Sequence, residues 1–150
     1  MSRDGSVVLQ WGDEETVFRL RLGEWRRIQE RCDAGPGEIY RRLVTVAMAM
    51  EKGFTLAQAA AVGMIGDWRV DDMREVIVQG LIGGGRSELE ARALVQRRVD
   101  EVVDFKAHLA LAFAIVRAGL GDVTDEASGE AKGAGSRRKP RSRKASSASQ

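Results

Sequence analysis

Val7, Leu9 and Trp11 recur at a period of two, and Phe18, Leu20 and Leu22 repeat that alternation around Arg19 and Arg21. Gly12-Asp13 lies between the two runs, so the pattern predicts a β-hairpin with one apolar and one charged face. A hairpin alone is marginal in water, and the rest of the chain must supply a cover for the apolar face.

Downstream the period lengthens to that of a helix. Trp25, Ile28 and Cys32 share one face of a first helix that runs into DAGPG, where Gly35 is expected to take the left-handed stop and Pro36 to open the next helix. Ile39, Leu43, Val46 and Met50 form a stripe closed by Gly53, and Thr55 with Gln58 is the capping-box signature of a short helix through Ala61. Asp72 with Glu75 reads as another N-cap pair, with Met73, Val76, Ile77 and Leu81 on one face behind it. Ser87 with Glu90 caps a helix carrying Leu94, Val95, Val99 and Val102. Phe105, Leu109, Ala112, Phe113, Val116 and Leu120 stripe the last helix, which Gly119 and Gly121 bring to an end. The expected fold class is α+β, mainly α: a short N-terminal β-hairpin packed on a bundle of five or six helices.

Composition changes this picture at the C-terminus. From Ala127 onward no large apolar residue occurs, and Gly, Ser, Ala and cationic side chains dominate. Such a segment buries too little surface to offset its ordering entropy, so the expected organisation is a folded domain over 1–121 and a disordered basic tail over 122–150. Charge divides at the same place: residues 1–121 carry 17 Lys and Arg against 18 Asp and Glu, whereas the tail carries 7 against 4. The tail's cluster of Arg137, Arg138, Lys139, Arg141, Arg143 and Lys144 is the candidate contact for nucleic acid or another anionic partner. Its binding to nucleic acid would be electrostatic and salt-sensitive, without aromatic side chains for base stacking.

The 150 residues suffice for one modest core. Cys32 is the single cysteine and His108 the single histidine, which excludes an internal disulfide and the usual Cys/His zinc sets. Cys32 reads as a small buried side chain and His108 as a surface or core-edge residue. No apolar run has the ~18–20 residues of a membrane span, and MSRDGSVVLQ lacks the apolar core of a signal peptide, so the expectation is a cytoplasmic protein without a membrane partner.

One stretch carries a hint of chemistry. GLIGGGRS places Gly80, Gly85 and Ser87 at the spacing of a phosphate-binding loop, with Arg86 where the lysine belongs. Such a loop needs a strand before it and a carboxylate elsewhere to hold magnesium. The preceding EVIVQ falls in a helical repeat, and a planar guanidinium does not replace a compact ammonium. GLIGGGRS is better explained as a helix end and a turn, Asp71 and Asp72 as residues of a helix start. No constellation of catalytic residues, metal ligands or cofactor contacts remains, and no enzymatic activity or cofactor is expected.

FRLRLGEWRRIQERCDAGPGEIYRRL after the hairpin, and WRVDDMREVIVQGLIGGG later, resemble the small tail-assembly proteins of tailed bacteriophages and gene transfer agents, over roughly Gly5 to Leu120. The resemblance rests on Leu22, Gly23 and Glu24 at the entry to the first helix and on an aspartate-started helix running into a glycine-rich turn. It implies a non-enzymatic role in the bacterial host cell, either as a tail assembly chaperone or as a component of the tail tube. The implied partners are the tape-measure protein and the tail tube protein. Trp68, Met73, Ile77 and Leu81 are the candidate partner-binding residues, and each also fits a core position by its helical spacing.

Overall fold

The computed structural model describes residues 4–121. The expected tail over 122–150, with its six cationic side chains, lies outside the described residues. Two strands, β1 (Ser6–Trp11) and β2 (Glu14–Arg19), form an antiparallel hairpin, followed by α1 (Leu22–Cys32), α2 (Pro36–Glu51), α3 (Leu56–Ala61), α4 (Val70–Gly83), α5 (Glu88–Val95) and α6 (Phe105–Gly119). A π-helical turn, Gln96–Asp100, continues α5, with Glu101 N–H donating to the Gln96 carbonyl at 3.2 Å.

Gly12-Asp13 turns the hairpin, with Gly12 at φ +68, and Val7 pairs with Phe18 and Trp11 with Glu14. Val7, Trp11, Thr16 and Phe18 face the core, and Leu20 enters it just past the strand. The alternation does not extend to Leu22. Strand β2 ends at Arg19, and Leu22 is the first residue of α1, 82% exposed. Glu24 fixes that transition, because its carboxylate accepts the Arg21 backbone N–H at 2.8 Å and satisfies a donor that the helix leaves unpaired.

Between α1 and α2 the left-handed residue is Asp33, at φ 53, while Gly35 is extended and caps α2 ahead of Pro36. Gly35 is therefore a helix start rather than the expected stop. Thr55 and Gln58 exchange the two expected capping bonds, at 2.9 and 3.0 Å. Helix α4 begins earlier than the Asp72–Glu75 pattern suggests: Arg69 holds the cap position, and Asp72, one turn in, accepts the Arg69 backbone N–H at 2.8 Å.

Helix α4 is the axis of the fold. It packs against β2, α1, α5 and α6, while α2 lies on α6 and α6 reaches back to β1. Its buried residues surround the helix rather than forming a stripe: Met73, Val76, Ile77, Val78, Gln79 and Leu81 all lie within it. A helix surrounded on most sides buries apolar residues around its circumference, and its buried polar residues Asp72, Glu75 and Gln79 are each paired. Gly80 abuts Phe18 and Ile115, where an added Cβ would lie 3.1–3.2 Å from both side chains. Closer still, a Cβ on Gly83 would overlap the Arg19 carbonyl oxygen, and one on Gly84 that of Val17. The glycine run is thus a contact surface for β2 as well as the end of a helix.

Ion pairs tie the elements at the edges of this core. Arg42 and Asp72 are both buried, with Nη1 2.9 Å from Oδ1. Arg74 grips Asp100 through two nitrogens at 2.9 Å, joining α4 to the π-helical turn. Arg98 donates to the Trp11 carbonyl at 3.2 Å and lies 4.9 Å above the Trp11 ring, joining that turn to the hairpin.

Candidate interaction surfaces

GLIGGGRS has no phosphate-loop geometry. The residues before it are helical, Arg86 pairs with Glu90 at 3.1 Å, and the Ser87 hydroxyl accepts the Glu90 N–H as the cap of α5. The single histidine and the single cysteine are both occupied. The ring of His108 is buried, its Nε2 2.8 Å from the Val102 carbonyl, where the nitrogen acts as a donor. Of the surface and core-edge alternatives His108 takes the second: it lines a cleft, and its ring is bonded to the loop between the π-helical turn and α6.

Cys32 is buried as expected, and its thiol lies 3.4 Å from the Asp71 carbonyl. Burial first, then the charges of Asp72, Glu75 and Asp71, push the Cys32 thiol up to about 12. In the native protein at pH 8, Cys32 is expected to react with a disulfide reagent roughly a thousandfold more slowly than in the denatured chain. Comparison of labelling rates with and without denaturant tests this; equal rates would contradict the burial.

The candidate partner-binding residues separate on folding. Ile77 and Leu81 are completely buried, and Met73 is 2% exposed, so no partner can grip Ile77 or Leu81 in the folded chain. Periodicity selected them because a central helix shows the same spacing as an interface helix. Met73 instead forms part of the lining of a cleft of about 230 Å³. Trp68 stands beside that cleft, half-buried, its ring edge-on to Phe105 at a centroid distance of 5.5 Å.

Around this cleft the structure gathers apolar side chains, of which Val102 and Phe105 were expected on helix stripes: α5 and its π-helical continuation end at Asp100, which leaves Val102 in the following loop, and Phe105 at the start of α6 stays partly exposed. Val70, Val102, Val103 and Phe105 line it and are 52%, 46%, 90% and 40% exposed. They come from the first residue of α4, the loop after the π-helical turn and the first residue of α6. Asp104 organises the junction, since its carboxylate caps α6 by accepting the Ala107 N–H at 3.2 Å. A second depression of about 580 Å³ adjoins the cleft at Asp104 and runs between α2 and α6. Ala47, Ala107 and Ala110 open it, and Met50 and Phe113 supply its bulkier walls. Together the two depressions offer aromatic and aliphatic anchors beside a trough wide enough for side chains, a combination suited to an amphipathic helix.

A third depression, of about 240 Å³, is polar. Buried Glu75 accepts Gln79 at 2.9 Å and Arg92 at 3.2 Å there, and Arg27 donates to Gln79 at 3.2 Å. Glu24 is a neighbouring buried carboxylate. Burial alone would raise it, but the Arg21 side-chain and backbone hydrogen bonds outweigh that and hold it below the usual carboxylate range. These charges satisfy one another and fasten α1 to α4 and α5. Among the described residues no group of His, Cys, Asp and Glu could hold a metal ion, and no helix is long and apolar enough to cross a membrane.

Residues 4–67 match a family described as phage tail tube protein, GTA-gp10. Over that stretch the chain is similar to a phage or gene-transfer-agent tail family. The match takes in the hairpin and α1 to α3, includes Ala47 and Met50 of the larger depression, and stops just before Trp68. The likeness noted in WRVDDMREVIVQGLIGGG therefore lies beyond the matched residues. No curated protein and no solved structure matches the chain.

Proposed function

We propose that this protein is a non-enzymatic factor in phage or gene-transfer-agent tail assembly, a chaperone that holds a tape-measure protein soluble and presents it to tail tube subunits in the bacterial cytoplasm. The observation that carries this reading is the family match over residues 4–67. The apolar surface around Trp68, Val103 and Phe105, continued by the trough between α2 and α6, supports a helical client. A tape-measure protein, as a long helical chain, presents apolar stripes that such a surface would cover.

Coexpression with the tape-measure protein is the test. The expected result is a soluble complex recovered by gel filtration, and a tape-measure protein equally soluble alone contradicts the proposal. Val103→Lys is expected to lower recovery of the complex by at least about tenfold, because it places a charge in the middle of the apolar surface. Its side chain is 90% exposed, so folding is unaffected. Leu89→Lys, at an equally exposed position on α5 outside both depressions, is expected to leave recovery unchanged.

A second reading, a structural component of the tail tube, is favoured by the description of the matched family itself. Finished particles distinguish the two. A chaperone is absent from purified tails, whereas a tube subunit is present in many copies.

A further inference from the structure

The hairpin has two edges, and the chain treats them differently. Among the described residues the sheet contains β1 and β2 alone. The carbonyls of Val17 and Arg19 point away from β1, since they are the oxygens that Gly83 and Gly84 of the α4 terminus approach. The outer edge of β2 is therefore covered by backbone. In an antiparallel pair, residues directly opposite share the same inward or outward direction of their peptide groups. Arg19 stands opposite Ser6, Val17 opposite Val8 and Glu15 opposite Gln10, so the peptide groups of Ser6, Val8 and Gln10 point outward from β1. Ser6 fits this geometry: its N–H donates to Asp4 Oδ1, at 3.0 Å, and not to β2.

An open edge invites strand addition, and proteins usually blunt theirs with charge, proline, a bulge or a cover. Strand β1, SVVLQW, has none of the first three: it contains no charged residue and no proline, and its register against β2 is unbroken. Its exposed face is apolar at the centre, where Val8 and Val17 stand opposite each other at 55% and 42% exposure.

We infer that the outer edge of β1 is a self-association interface, through which two copies of this chain pair β1 to β1 antiparallel and join their hairpins into one four-stranded sheet. The absence of charge selects a second copy as the occupant. An isologous contact sets each side chain against its own copy or a symmetric neighbour, so a charged strand would meet like charge, as the Glu14–Glu15 start of β2 would. A register centred on Val8 sets Val8 against its own copy and Gln10 against the copy's Ser6, using the outward N–H groups of Val8 and Gln10 and the carbonyls of Ser6 and Val8, while the Ser6 N–H keeps its bond to Asp4. It also aligns Val17, Val8 and their copies as one apolar row across the sheet. This inference is independent of the tail-assembly reading, because it concerns the chain with itself.

Sedimentation equilibrium of the full-length protein tests it. A monomer–dimer equilibrium in the micromolar range is expected, since a strand edge is a small interface. Val8→Lys should weaken dimerisation on the order of tenfold or more by setting two ammonium groups against each other. Gln10→Pro removes an outward N–H that the hairpin does not use, so the fold persists while dimerisation is lost, and Gln10→Ala keeps both. Circular dichroism confirms folding of each variant. A monomer at every concentration overturns the inference, as does a dimer that Gln10→Pro leaves as tight as Gln10→Ala does.

Discussion

Gly83→Ala is expected to unfold the protein. The added methyl group would overlap the Arg19 carbonyl oxygen, and that oxygen belongs to a strand pinned by its partner on the other side. Neither group is a flexible side-chain end, so relief requires the C-terminus of α4 to separate from β2. The expected loss exceeds the roughly 1–3 kcal/mol of ordinary core overpacking. Gly84→Ala meets the Val17 carbonyl in the same way and should be comparably severe. Two other glycines calibrate the experiment. Gly85 has open space around it but lies at φ +117, so alanine there costs backbone strain of about 1–3 kcal/mol and no more. Gly23, inside α1 with nothing within 4 Å, should gain roughly 0.5–1 kcal/mol as alanine. Urea denaturation of the four variants gives the order directly. A Gly83→Ala protein as stable as Gly85→Ala would mean that helix and strand are not in backbone contact.

The buried pair Arg42–Asp72 provides the second large effect. Asp72 is completely buried, and Arg42 reaches it from α2 while also donating to Glu38 at 3.1 Å. Glu38 in turn is held down to about 2, chiefly by its hydrogen bond from Arg41 and further by the one from Arg42. Asp72→Ala removes the buried partner of the Arg42 guanidinium and leaves it only the half-exposed Glu38, at an expected cost of about 3 kcal/mol. It also removes the acceptor for the Arg69 N–H at the start of α4, worth about a further 1 kcal/mol. The double variant Arg42→Met/Asp72→Leu, with both charges gone and the volume retained, is expected to be more stable than Asp72→Ala. Denaturation midpoints decide the matter, and a double variant at or below the Asp72→Ala midpoint would sink the argument.

These two predictions mark where the sequence was legible and where it was not. Thr55 with Gln58, Ser87 ahead of α5 and Gly12-Asp13 in the hairpin act through neighbours within a few residues, and pattern alone locates them. The elements from Val7 to Leu120 were legible for the same reason, since apolar periodicity reports local structure. Gly83 and Gly84 look like a helix terminus because their second role depends on β2, which arrives from the far end of the domain. Asp72 resembles an N-cap residue because its partner Arg42 lies thirty positions away. Leu22 continues an alternation that Glu24 interrupts by starting a helix. The apolar surface proposed for a partner was the least legible part. Trp68 belongs to it, but Val70, Val102, Val103 and Phe105 converge from separate elements, and alanines shape the trough by what they leave unfilled. Exposure of apolar side chains in the folded chain is what identifies them, and no period in the sequence encodes it.

The contact between the glycine run and β2 also bears on how the chain is made. A ribosome releases the hairpin before the helices that cover it: its outer edge waits for Gly83 and Gly84, and its apolar face waits for α6. Through most of translation Phe18, Val7 and Trp11 have no cover, and α1 and α2 emerge before the helix they pack around. Long-range closure of this kind slows folding and lengthens the time that strand edges stand open. The hairpin, made before the helices it packs against, is thus among the last elements to be completed, and the nascent chain itself passes through a state that needs protection from its neighbours.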